Sequence, residues 1–112
     1  MNTEQQKISK ILEELIDYFF RNKSFDLKMA LDYQEDHYSI KIEGPCEKKP
    51  SNYQELYDLL NATTRPELEE YYYELLGSNE LKLLGSLIDR AEMSFEDKQL
   101  CIKVYRYIDD RD

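Results

Sequence analysis

The single histidine, His37, stands in the run "EDH" beside Glu35 and Asp36. An imidazole flanked by carboxylates could serve as a general base or phosphoacceptor. That work also needs an orienting partner and a pocket that excludes water. In a polar stretch between two alternating apolar segments, His37 is expected to be solvated, and no nucleophile and base pair accompanies it. The carboxylate runs "EDH", "ELEE" and "DDRD" lack calcium-loop spacing and read as solvated faces. Cys46 and Cys101 are far apart and without the close Cys or His neighbours of a zinc site, so they are expected to be reduced thiols. No metal or cofactor is expected from these residues.

A different chemistry is suggested by "PELEEYYYELLG", where Tyr71, Tyr72 and Tyr73 lie among Glu67, Glu69, Glu70 and Glu74. Successive helical residues point about 100° apart, so the three rings cannot all face one core. Because tyrosine is enriched at interfaces, Tyr71, Tyr72 and Tyr73 are a candidate protein-binding surface. Charge points the same way: the chain has 24 acidic and 15 basic residues, net -9. Phosphate-backbone binding depends on concentrated Lys and Arg, so nucleic acid is not an expected partner. No run approaches the roughly eighteen apolar residues of a membrane span. The start, "MNTEQQKISK", has no apolar signal core, from which a cytoplasmic location is expected.

The elements that must position these residues follow from apolar spacing. Ile8, Ile11, Leu12, Leu15, Ile16 and Phe19 recur at helical intervals behind a capping-box pattern at Thr3 and Gln6. Phe25, Leu27, Met29, Leu31 and Tyr33 then alternate, as do Tyr38, Ile40 and Ile42 after the polar turn "QEDH". This predicts an antiparallel hairpin with one buried face. "PCEKKP" is a loop, since Pro45 and Pro50 disfavour helix. Ser51 with Gln54 and Thr64 with Glu67 repeat the capping pattern. They open a short helix with Tyr53, Leu56, Tyr57 and Leu60 on one face, and a further helix with Leu68, Tyr71, Tyr72 and Leu75, ended by Gly77. Asn79 caps a fourth helix carrying Leu84, Leu87, Ile88 and Ala91, and Gly85 inside it asks for a close-packing reason, as an interior glycine costs about 1 kcal/mol. Met93 and Phe95, then Leu100, Ile102 and Val104, form a second hairpin across a turn at Glu96 to Gln99. At 112 residues this makes one α+β domain spanning residues 1–112. The expected architecture is a two-layer sandwich of helices on one face of a four-stranded sheet, in the order α-ββ-α-α-α-ββ.

That layout resembles the GHKL ATPase domain, the family of histidine-kinase ATP-binding domains and anti-sigma kinases. "ILEELIDYFFRNKSFDLKMALDYQEDHYSIKIEG" is similar to the family's first helix and hairpin, and "LKLLGSLIDRAEMSFEDKQLCIKVYRY" to its last. The resemblance implies a nucleotide site whose motifs are altered here. Glu14 matches the acidic position of the first helix, while Tyr18 stands where the family has its magnesium-binding asparagine; a phenol is a poor ligand for a hard cation. "EGPCE" stands for the family's Asp-x-Gly-x-Gly, with Glu43 at the adenine-reading aspartate and Pro45 at a glycine. Of the phosphate-wrapping glycines before the last helix only Gly85 remains, too deep in the helix to cradle phosphate at its N-terminus.

The resulting expectation is a non-catalytic regulatory or scaffold domain that binds another protein, a second copy being the simplest partner. Two alternatives are an ATP-binding enzyme with a rebuilt pocket and an acidic mimic of nucleic acid. If the resemblance holds, Tyr18 and Glu43 border the former nucleotide site, and the Tyr18 ring fills it with its hydroxyl directed to solvent or a polar partner.

Overall fold

Helix α1, Thr3–Arg21, buries Ile8, Ile11, Leu15, Tyr18 and Phe19, a stripe that returns every three or four residues as a helix requires. The computed structural model describes residues 3–62 and 84–108. The helix ends in a double-bonded cap: Ser24 N–H donates to the Phe19 carbonyl at 2.9 Å and Lys23 N–H to that of Phe20 at 3.0 Å. This Schellman arrangement needs a left-handed residue, and Lys23 supplies it at φ 61° although it is not glycine. The cap turns the chain back towards strand β1, Lys28–Gln34.

β1 pairs with β2, His37–Pro45, across a two-residue turn at Glu35 and Asp36. β3, Arg90–Glu96, pairs with β4, Gln99–Tyr107, across Asp97 and Lys98, both at positive φ (52° and 60°), as a primed hairpin turn requires. β2 and β4 join the hairpins, giving one antiparallel sheet in the order β1-β2-β4-β3. The α+β class and the four-stranded sheet are as the sequence predicts, with helices on one face.

The core face of the sheet carries Ile40 and Ile42 of β2 against Ile102 and Val104 of β4, all at most 1% exposed. α1 packs on β2, and α2, Tyr53–Asn61, packs on β3 through Leu56, Leu59 and Leu60. Arg106 ties three elements together: its guanidinium bonds Glu4 near the start of α1 at 2.6 Å and the Leu87 carbonyl at 2.6 Å. Residues 84–87 are helical, within the predicted fourth helix, but Ile88 and Ala91, expected on its apolar face, lie beyond it: Ile88 follows the helix and Ala91 belongs to β3. The predicted third helix, including Gly77, and the Asn79 cap lie outside the described residues.

Three further local expectations are corrected. Pro45 is the last residue of β2 instead of part of a loop. Asn52, not Ser51, occupies the N-cap of α2 and makes no side-chain capping bond, because its Oδ1 accepts the Tyr18 hydroxyl at 2.8 Å. The third concerns β1: its apolar residues share the core face of the sheet yet all seven residues of the strand are exposed.

Candidate functional site

Cross-strand register sets the side on which β1 displays its apolar residues. Met29, Leu31 and Tyr33 stand opposite Ile42, Ile40 and Tyr38, so they point to the same face as the core. Ile40 and Ile42 are covered there, but Met29, Leu31 and Tyr33 remain 52–58% exposed. The reason is geometric: α1 lies over β2 and α2 over β3, and no described helix extends over the edge strand. Phe20, from the outward side of the last turn of α1, and Phe25, from the link that follows, continue the surface with ring centroids 5.5 Å apart. Tyr33 reaches Tyr38 at 5.0 Å at the other end. Among the described residues Met29, Leu31 and Tyr33 thus form an uncovered row along the edge strand, with the exposed Phe20 and Phe25 pair in the turn that leads into it.

Natural proteins protect such an edge with charged side chains, above all lysine, or with proline, bulges, short strands or charges pointing inward. Of these β1 has only Lys28 and Asp32, both on the outer face; its register runs unbroken from Lys28 to Gln34 and its core face carries no charge. The opposite edge strand differs. In β3 Ala91 is buried and Met93 and Phe95 are partly buried against the core, while Asn61 at the end of α2 accepts the Ala91 N–H at 2.8 Å.

The outer face of the sheet is polar and self-satisfied. Tyr105 is buried there because Arg90 stacks on its ring at 3.8 Å, and its hydroxyl donates to Glu92 at 3.2 Å. His37 lies against Tyr105 and Tyr107 and bonds Asp36 at 2.7 Å, which holds the Asp36 carboxyl below its usual range. Cys101 is also on this face, where partial burial pushes its thiol up, and Cys46 is buried; both are free thiols. Among the described residues no group of three or more His, Cys, Asp or Glu could hold a metal ion.

The positions singled out by the GHKL resemblance are distributed as follows. Glu14 is nearly buried on α1 and pairs with Lys10 at 3.0 Å; that bond is the main cause of the raised Lys10 pKa. Tyr18, one turn on, is 3% exposed. Burial first, then the neighbouring Cys46 and Glu55, pushes its phenol well above 10.0. Glu43 lies between core-facing Ile42 and buried Gly44, so strand alternation puts its side chain on the outer face of the sheet. Gly85 meets α2, where an added Cβ would lie 3.0 Å from Leu59 Cγ. The structure therefore groups Glu14 with Tyr18 and separates Glu43 and Gly85 from them; the expectation that Tyr18 and Glu43 border one site is not met, because strand alternation turns Glu43 to the face of the sheet opposite α1. A groove of about 550 Å³ opens one turn beyond Tyr18, lined by Arg21, Asn22, Lys23, Glu47, Lys48 and Lys49 among others, and none of the four positions lines it.

No protein-family model matches this chain, and no curated protein matches it. Tyr71, Tyr72 and Tyr73 lie outside the described residues. The alternation of β1 was visible in the sequence, but it signalled a buried strand. Among the described residues no helix is long and apolar enough to cross a membrane.

The Tyr18 bond to Asn52 is testable. Tyr18→Phe should lose about 1 kcal/mol at neutral pH, because a part-buried amide oxygen loses its donor. A folded-state pKa raised above 10.0 means that the neutral phenol's stabilising contribution is complete below that pH and is lost as pH rises beyond it. The gap between the variant and the native protein should therefore narrow above pH 10.0 in urea titrations followed by circular dichroism. A gap that stays constant through that range would refute the assignment.

Proposed function

We propose that this chain is a non-catalytic, cytoplasmic protein-binding domain of the regulatory or scaffold kind, resembling the GHKL ATPase domain in its order of elements alone. The observation that carries the reading is the uncovered row of Met29, Leu31 and Tyr33, with the exposed Phe20 and Phe25 pair before it, beside the open edge of β1. A contiguous apolar surface next to open backbone amides suits strand addition, in which main-chain bonds give affinity and alternate side chains give specificity. Tyr18 is buried and its hydroxyl donates to Asn52, which leaves that position unsuited to holding a magnesium ion. The net charge of -9 argues for a protein partner over nucleic acid.

The experiment places a photo-crosslinking residue at Leu31 or, as control, at Lys41 on the outer face, in the cells that make the protein. Discrete adducts at position 31 and none at 41 are expected. Absence of any discrete adduct at 31 would overturn the reading.

The groove beside Arg21, Lys23, Lys48 and Lys49 favours a second reading, an ATP-binding enzyme with a rebuilt pocket. A ligand at one hundred times its Kd stabilises by about 2.7 kcal/mol. Millimolar ATP with magnesium is expected to leave the melting temperature unchanged, and a shift of several degrees would put the enzyme reading first.

A further inference from the structure

We propose that the occupant of the β1 edge is a second copy of this chain, paired β1 to β1 in antiparallel register about Ala30 so that the two sheets join into one of eight strands. The inference rests on the protein-binding reading and names its partner. A two-residue turn makes Gln34 and His37 a hydrogen-bonded pair, and antiparallel pairs alternate. Lys28, Ala30, Asp32 and Gln34 therefore bond β2, leaving the amides of Met29, Leu31 and Tyr33 directed to the free edge. A twofold axis at Ala30 sets Met29 against Leu31 of the second copy as a hydrogen-bonded pair, so those open amides meet their like.

Charge selects this register. Lys28 and Asp32 lie two residues either side of Ala30, and both point to the outer face. Rotation about Ala30 therefore places each lysine directly opposite the other copy's aspartate, in non-hydrogen-bonded positions where Cα atoms approach to about 4.5 Å. Among the described residues Asp32 accepts a bond from Gln34 Nε2, at 2.7 Å on the surface, and no cation pairs with it. Moving the axis to Leu31 would set Lys28 against Gln34 and Asp32 against Ala30, with no cation facing a carboxylate. On the core face, Met29, Leu31 and Tyr33 of both copies would form one apolar band flanked by Phe20 and Phe25. Each copy carries net charge -9, a repulsion between copies that salt screens, so added salt should not dissolve the pair.

The test is sedimentation of the purified chain from micromolar to several hundred micromolar, with variants at the exposed positions. A concentration-dependent dimer is expected. Lys28→Asp sets like charges face to face twice and should weaken it about tenfold or more, and Lys28→Asp with Asp32→Lys should restore it. In a Cys101→Ser background, Ala30→Cys should oxidise to a disulfide-linked dimer, since about 4.5 Å between Cα atoms lies within disulfide range. Leu31→Cys should cross-link poorly. A monomer at every concentration would overturn self-pairing while leaving the protein-binding reading to the adduct at position 31. Cross-linking through Leu31→Cys in preference to Ala30→Cys, or a double swap that fails to restore the dimer, would overturn the register.

Discussion

Phe19→Ala should lower the unfolding free energy by about 3–5 kcal/mol, the usual cost of emptying a buried aromatic site. Phe19 is fully buried on the last turn of α1, and its carbonyl accepts the Ser24 bond of the helix cap. Against a domain stability of about 5–15 kcal/mol, the variant should sit near the edge of folding. Phe20→Ala is the internal control. One residue along, its ring turns 100° away and is 47% exposed, so the same chemical change should cost about 1 kcal/mol or less and instead weaken association through β1. Equilibrium urea unfolding of both variants measures the contrast, and equal losses would mean that the buried and exposed faces of α1 are misassigned.

Gly44→Ala is the second large effect, expected at about 1–3 kcal/mol, the range for overpacking. A Cβ there would lie 2.5 Å from Ser24 Oγ, 2.7 Å from Leu27 Cδ2 and 3.3 Å from the Asp26 carbonyl oxygen. The link from α1 to β1 crosses directly over β2 at this point, so the glycine sets how closely the two can approach. Ser24 is itself fully buried, and its hydroxyl has no hydrogen-bond partner. Ser24→Ala removes the nearest obstructing atom together with an unpaired polar group. The double variant should therefore recover about half or more of the loss, a coupling between residues in contact. Thermal melts of the four proteins in the cycle test it. Strict additivity would show that the strain arises elsewhere.

The two glycines show how far spacing could be read. Gly85, interrupting a helical pattern, signalled close packing from type and position alone; that the neighbour is Leu59 of α2 depended on the fold. Gly44 stands within the stretch that resembles an altered nucleotide motif, whereas in the structure it admits the crossing link. The capping-box pattern points to Ser51, but the N-cap lies one residue later at Asn52, whose side chain is claimed by Tyr18, 34 positions away. Local rules see neighbours along the chain, and such partners are neighbours only in space.

What the sequence determined by itself is therefore what depends on local period. The helical stripe of α1, the alternation of the strands and the pairing of two hairpins all follow from which residues fall on one side of a 3.6- or 2-residue repeat. Burial was decided only by the tertiary structure. Met29, Leu31 and Tyr33 alternate as well as Tyr38, Ile40 and Ile42 do, but β2 runs under α1 and β1 is the edge of the sheet. Hydrophobic periodicity records which face a strand offers. Whether that face meets a helix or another chain depends on where the layers end, and the described helices leave the edge strand β1 uncovered.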